Sequence, residues 1–372
     1  MKKIQNGFFT ILLILGLSSV TANAQVNLSA HTASPGGVPH LTIMHLSDVL
    51  GEAGIANLQV TEGQTLTNSL MTLAEGKIDM SAMPIILPFL LDKGRGPFAK
   101  QGDKGAELAA NVRALYPYNA GGFGLFALES ANINSWKDIK GKTIFNGPPR
   151  GAALVNARQA IVLASGYKEG DDYKGVQANW GQLANILVDG SVDGVVVPLT
   201  FPSARVTVMQ SAGNVRIIST PKDIFESDAY QKVFNAPGNI PLQVKWEDMG
   251  YSDGVSMVSE DGVFRGLGTA FVELVHKDMS FDLAKAITAT HIATLDKLKA
   301  KSPFAPNIGL GQMDPKLAGL CGPSKVKYHA GAVAAWEEAG YKVADCAKYS
   351  LRNGQALSLA IFIFITQFIK AQ

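Results

Sequence analysis

Two stretches of the chain are written to one pattern. "GQTLTNSLMTLAEGKIDMSAMP" runs from Gly63 to Pro84, and "GQLANILVDGSVDGVVVP" from Gly181 to Pro198. Each opens on Gly-Gln, continues with helical spacing and stops at an acid followed by glycine (Glu75-Gly76, Asp189-Gly190). An aspartate (Asp79, Asp193) then leads into an apolar run, and a proline closes it eight residues after the glycine in both. Glycine supplies the positive φ that ends a helix, and proline lacks the donor that a continuing strand needs. One such unit fits any α/β domain. Two of them, about 114 residues apart, predict two α/β lobes of related construction.

The rest of the chain alternates in the same way. "NLSAHT", "LQVTEG" and "GGFGLFALES" read as strands, and "WKDIKGKTIF" as a short helix, a glycine stop and a strand. "FDLAKAITATHIATLDKLKA" and "KVKYHAGAVAAWEEAG" read as helices near the C-terminus. Strands alternating with helices predict mostly parallel sheets flanked by helices. Ligands of such sheets sit off the carboxyl ends of strands, and with two lobes the expected site is the cleft between them.

The ends of the chain stand apart. Lys2 and Lys3 precede the apolar run "ILLILGL", and Ala22-Asn23-Ala24 offers a small-x-small cleavage site before Gln25. This is the pattern of a secretory signal peptide, with cleavage expected after Ala24 and export to the periplasm. The mature chain of about 350 residues suits two domains. It loses only two lysines, leaving 31 basic against 31 acidic side chains. That balance gives no reason to expect nucleic acid or an anionic membrane as partner. At 47% apolar residues the chain can fill sizeable cores. At the other end, "ALSLAIFIFITQFI" (356–369) is an apolar block too short to cross a bilayer as a helix, and its role is open. Cys321 and Cys346 are the two cysteines of the chain. In an oxidising compartment they predict one local disulfide, with a pair of reduced core thiols as the alternative.

Four turns are candidates to form a pocket. Ser34-Pro35-Gly36-Gly37 follows the first strand. Thr61 to Thr67, with Gln64 and Thr65, follows the second. Gly147 to Ala153, with Arg150, Gly151 and Ala152, is the third, and Phe201-Pro202-Ser203 with Arg205 follows the second echo strand. Glycines or hydroxyls at three helix starts leave backbone amides free, and the helix dipole favours an anion there. Arg150 and Arg205 could each grip a carboxylate or sulfonate. Phe201 fits a pocket wall or a core equally, and Tyr116 and Tyr118 fit a pocket lining or an interlobe hinge. Any single glycine-proline turn is also ordinary structural punctuation.

Catalytic signatures are missing from the sequence. It contains no G-x-x-x-x-G-K-[ST], no G-x-S-x-G and no H-E-x-x-H, and "GGFG" and "GLGT" lack the full dinucleotide pattern. The six histidines are scattered. Neither an enzymatic activity nor a cofactor or metal is expected, although a Ser-His-Asp arrangement cannot be read from sequence either way.

Five pieces in order resemble the TAXI family of solute receptors that serve TRAP (tripartite ATP-independent periplasmic) transporters. They are Ser34-Pro35-Gly36-Gly37, "TEGQTLTNSLMTLAEGKIDM", "INSWKDIKGKTIFNGPPRGAA", "LVDGSVDGVVV" and "YHAGAVAAWEEAG". The resemblance implies an α/β, two-lobe type II periplasmic-binding-protein fold with an interlobe ligand cleft. It implies residues 1–24 as signal peptide, 25–122 as the first part of lobe one, 123–265 as lobe two, 266–355 as the return to lobe one, and 356–372 as the tail. The implied partners are a small solute, usually a carboxylate, and the membrane permease subunits of a TRAP transporter. An ABC importer or a sensor kinase is the alternative partner, and a secreted α/β enzyme is the alternative from another class. The sequence departs from the family where Arg150-Gly151-Ala152-Ala153 replaces the usual Gly-Ser-Gly-Thr, where a Gly-Gly is lost near Glu62-Gly63, and where Pro39 and His40 replace tyrosine. A different or less polar anion is in keeping with those changes.

Overall fold

The structure is a computed structural model that describes residues 25–305, 314 and 318–349. The expected signal peptide, the apolar tail and part of the 266–355 segment lie outside the described residues. In chain order the first half contains β1 (Val26–His31), α1 (Val38–Glu52), β2 (Ala56–Thr61), α2 (Leu66–Ala74), β3 (Met80–Pro84), α3 (Ile86–Asp92), α4 (Lys104–Ala109) and β4 (Val112–Leu128). Then come β5 (Thr143–Phe145), α5 (Ala152–Ser165), β6 (Lys174–Val176), α6 (Leu183–Val188), β7 (Gly194–Leu199), α7 (Ala204–Gln210) and β8 (Val215–Ile218). The chain continues through α8 (Lys222–Phe225), α9 (Asp228–Phe234), β9 (Asn239–Lys245), β10 (Val255–Val258) and β11 (Val263–His276). It closes with α10 (Phe281–Ala293), α11 (Leu295–Ala300) and α12 (Ala330–Glu338).

The strands are ordered β2-β1-β3-β11-β4-β7-β5-β6, with β8 on β4, β10 on β8 and β9 on β11. The two flanks are parallel: β1 pairs β2 and β3, while β5 pairs β6 and β7. The centre is antiparallel, because β11 pairs β3, β4 and β9 and β4 pairs β7 and β8. The sheets are therefore mixed rather than mostly parallel, and the reason is β4 and β11. These strands of 17 and 14 residues run through both halves and join the two parallel flanks back to front. The expected lobe boundaries, after residue 122 and before residue 266, fall inside them, at Gly121-Gly122 and Gly266-Gly268. There Cβ atoms have no room: one built on Gly122 would sit 3.1 Å from the Gly268 Cα, and one on Gly268 would sit 2.8 Å from the Ile240 carbonyl oxygen. A register shift between Gly268 and Ala270 marks the same point.

The sequence echo folds as one repeated device. Gly76 and Gly190 both end their helices at φ 71°, the left-handed cap position. Beyond them, Asp79 Oδ2 accepts from the Ser29 backbone N–H at 2.7 Å and from its hydroxyl at 2.8 Å. Asp193 Oδ2 accepts from the Thr143 N–H at 2.7 Å. In each half the aspartate thus ties the start of one parallel strand (β3, β7) to its neighbour (β1, β5), and the sequence separation is 50 in both cases. Pro198 does not end β7, which runs one residue further to Leu199. The pairing of β5 with β7 has stopped by Val195, so no ladder bond to β5 is forfeited there.

One hydrophobic cluster runs from Leu28 and Ile43 under α1 to Val197 and Phe264 in the second half, and a second gathers Trp136, Ile161 and Tyr230 around α5. Tyr116 and Tyr118 are fully buried in the first cluster. Beside them, on β11, Glu273 is also fully buried. Its Oε1 accepts from the Thr42 hydroxyl at 2.8 Å and the Tyr118 hydroxyl at 3.1 Å, while Oε2 and the Tyr116 hydroxyl have no hydrogen-bond partner among the described residues. Burial pushes this carboxyl from 4.5 up to about 8, against the opposing pull of its two donors. It is therefore a neutral acid at pH 7. The Cys321–Cys346 bond joins residues 25 apart in sequence and closes a loop that contains α12.

Two outcomes follow from this core. Asp79→Ala and Asp193→Ala should each lower unfolding free energy by about 1–3 kcal/mol, the usual worth of a hydrogen bond to an ionised group. Urea titration should show a lower midpoint at unchanged slope, and an unchanged midpoint would refute the tie. For Glu273, the unfolded chain ionises from about 4.5 while the folded chain holds the proton to about 8. Stability contributed by this group is thus full at low pH and is lost as pH rises through that window. Glu273→Gln should gain stability relative to the parent as pH is raised across it, and a constant difference at every pH would contradict the buried neutral acid.

Candidate functional site

A cavity of about 1070 Å³ opens at the carboxyl ends of both parallel strand sets. The turns after β1, β2, β5 and β7 each pass its wall before entering α1, α2, α5 and α7. Between them, Ala120 and Phe123 of β4 and Thr269 and Phe271 of β11 form the floor, and Ser302 to Phe304 close one side. The two halves thus face each other across the strands that join them.

In the first half, the turns after β1 and β2 are fastened to one another. Gly63 N donates to Ala33 O at 3.2 Å and Gln64 N to Thr32 O at 2.9 Å, while the Thr32 hydroxyl donates to Pro39 O at 2.9 Å. Gly36 takes φ 84°, which lets the chain turn into α1 with Gly37 as its N-cap. Helix α1 has no side-chain cap and no acid in its first turn, and the same holds for α2, capped by Thr65. No side chain among the described residues takes their first amides, although Pro39 has no N–H and Asn68 N donates to Thr65 O at 2.8 Å. Ser34, Gly36, Gly37, Gln64 and Thr65 all line it. Thr61 does not: its carbonyl accepts from Thr32 N at 3.1 Å, and its side chain is exposed at the end of β2.

In the second half, the turn "NGPPRGAA" is held from behind. The Asn146 amide donates to Glu169 Oε2 at 2.6 Å and its oxygen accepts from Gln177 at 2.8 Å, while Arg158 grips Glu169 with two nitrogens at 2.8 Å each. Gly147, at φ 111°, is buried in this support, where its carbonyl accepts from Ala178 N at 3.2 Å. Only the outer part of the turn, with Arg150, Gly151 and Ala152, reaches the cavity. Arg150 is exposed and has no hydrogen bond or ion pair to a described residue.

The turn after β7 supplies the other cation. Arg205 hydrogen-bonds the Pro198 carbonyl oxygen and lays its guanidinium over the Trp180 ring, 4.8 Å from the centroid. Among the described residues no carboxylate pairs with it, and burial lowers its pKa to about 10. Pro202 and Ser203 line the cavity beside it, and Ser203 N donates to the Tyr251 hydroxyl at 2.8 Å. Phe201 does not line the cavity. It is fully buried in the core, edge-on to Phe264 with ring centroids 4.7 Å apart, because the chain turns over it between β7 and α7.

Eleven of the fourteen expected ligand-site residues therefore come together on one cavity wall, and Thr61, Gly147 and Phe201 stand behind it. Several wall residues escaped sequence reasoning. Asn156 is 4% exposed with its amide nitrogen unpartnered, one turn inside α5 on the same face as Ala152. Spacing of four from the helix start was the available signal. Trp180 stands directly before the second Gly-Gln echo, Thr269 and Phe271 follow the glycines of "GLGT" within a strand, and Phe304 follows Ser302-Pro303, a turn not counted among the four. Among the described residues, no group of three or more His, Cys, Asp or Glu side chains is placed to hold a metal ion.

The chain is similar in fold to several solved structures. One is a TRAP periplasmic solute-binding protein from Ralstonia eutropha H16 with bound (S)-2-acetolactate, at 14% identity over 86% of this chain and 87% of that one, with a TM-score of 0.42. A second is a TRAP periplasmic solute-binding protein from Desulfovibrio salexigens in complex with diglycerolphosphate, at 12% identity, 93% and 99% coverage and a TM-score of 0.44. A third is an extracytoplasmic solute receptor from Bordetella pertussis binding pyroglutamic acid, at 11% identity, 90% and 99% coverage and a TM-score of 0.42. No curated protein matches significantly. Residues 31–340, which run from the end of β1 past α12, match the NMT1-like family model, and the chain belongs to the NMT1-like family.

Proposed function

We propose that the protein is a periplasmic solute receptor that binds a small organic anion, a carboxylate in the first instance, between its two lobes. The loaded receptor then delivers the solute to the membrane permease subunits of a TRAP-type transporter of the TAXI kind. The observation that carries the reading is Arg205. A guanidinium partly withdrawn from water beside the cavity, held by one carbonyl and one indole face and lacking an acidic partner among the described residues, is an unfinished ion pair. The missing half is an anion.

Binding follows from this arrangement without covalent chemistry. The α1, α2 and α5 starts present free amides, and Ser34, Gln64, Thr65 and Ser203 supply neutral polar groups around the cavity. Closing the halves about Gly121-Gly122 and Gly266-Gly268 would exclude water and strengthen each polar contact. The solute then needs only to bind the closed form better than the open one. A micromolar dissociation constant corresponds to about −8 kcal/mol, within reach of a few such contacts and an aromatic wall.

Thermal-shift titration of the purified protein with small carboxylates and sulfonates tests the reading. At about 100 times its dissociation constant a ligand should stabilise by about 2.7 kcal/mol. Arg205→Gln should weaken that ligand by about 2 kcal/mol, or roughly thirtyfold. Stabilisation by neutral solutes alone, or anion binding untouched in Arg205→Gln, would reject it.

A further inference from the structure

The cavity wall also describes the rest of the solute. We infer that it is an organic anion with an apolar, aromatic-sized body, at least one further hydrogen-bond acceptor and no cationic group. This inference rests on the receptor reading above.

Among the described residues the wall carries two cations, Arg150 and Arg205, and no aspartate or glutamate. The acid closest in sequence to the first wall, Glu62, is turned to His40 at 3.2 Å and is not part of it. An α-ammonium carried into the closed cleft would find only neutral oxygens, and desolvating a cation without a counter-charge is strongly unfavourable. Amino acids are therefore the wrong class of anion for this wall.

Donors, by contrast, are in surplus. Helices α1, α2 and α5 begin at the cavity without side-chain caps or first-turn acids. The amide nitrogen of Asn156, 4% exposed on the α5 face that lines the cavity, has no acceptor among the described residues. A buried amide donor left open is destabilising unless something else accepts from it. A carbonyl or hydroxyl oxygen on the solute, separate from the carboxylate at Arg205, would do so.

The remaining surface is apolar. Trp180, Phe271 and Phe304 are partly exposed toward this space, and the buried Phe123, Leu87 and Leu187 back them. The Trp180 ring already carries Arg205 on its face, so the anion pole and the aromatic wall are adjacent. A short dicarboxylate would leave most of this wall in contact with water or with a second charge. An arylalkanoate or aryl keto acid would cover it.

Isothermal titration with matched compounds decides the question. Phenylpyruvate and phenylalanine share a body and differ at the α-position, and glutarate and glutamate are the short-chain counterparts. Phenylpyruvate should bind at least a hundredfold tighter than phenylalanine, and tighter than glutarate. Phenylalanine or glutamate binding within tenfold of its partner would overturn the exclusion of ammonium. Glutarate binding while phenylpyruvate does not would overturn the apolar body and leave the anion receptor standing. Silence from all four overturns the inference, and silence from a broad anion panel would take the receptor reading with it. Asn156→Leu separates a ligand role from a packing role. It should weaken phenylpyruvate at least tenfold while leaving the melting temperature of the empty protein unchanged or raised; unaltered affinity would remove Asn156 from the site.

Discussion

The pairing of β4 with β11 is the constraint on which the rest of the molecule depends. Two parallel strand sets, each with its helices, cannot be joined edge to edge by short connections, because a parallel crossover needs a helix's worth of chain. Here two long antiparallel strands run through both sets instead and present the carboxyl ends of one to those of the other. The cavity exists because of that opposition. The close approach of Gly122 to Gly268 lets the ribbon pass through a crowded centre where no side chain could fit. It also puts the least sterically restricted backbone of the molecule between the halves.

Around this axis the two halves solve their local problems alike and their functional problems differently. Each uses a left-handed glycine and an aspartate bonded to a neighbouring strand's amide to set the start of a parallel strand. At the cavity the resemblance ends. The first half offers uncapped helix starts and neutral groups, while the second adds both cations, the indole and the buried asparagine. The family match across residues 31–340 covers both halves and the ribbon together.

How much of this could be read from sequence depended on whether a position is governed by local or by distant neighbours. Gly76, Gly190, Asp79 and Asp193 were legible because turn geometry and strand starts are short-range matters. So were most of the glycine- and hydroxyl-bearing turns that reach the cavity. The extent of β4 was not, since Pro117, Gly121 and Gly122 resemble loop punctuation and a strand buried on both faces shows no alternation. Phe201 could be placed only by knowing that the chain turns over it. Asn156 and Glu273 were the least visible: a polar residue within a helix or strand looks solvent-facing until the opposite layer is known.

The stack of Arg205 on Trp180 has a practical side. Of the four tryptophans in the chain, Trp180 is the one that lines the cavity, while Trp136 and Trp336 are buried elsewhere in the cores. A guanidinium resting on an indole perturbs its excited state, and an anion that draws on that guanidinium alters the perturbation at once. Trp180 is thus placed to report optically on the state of the Arg205 guanidinium.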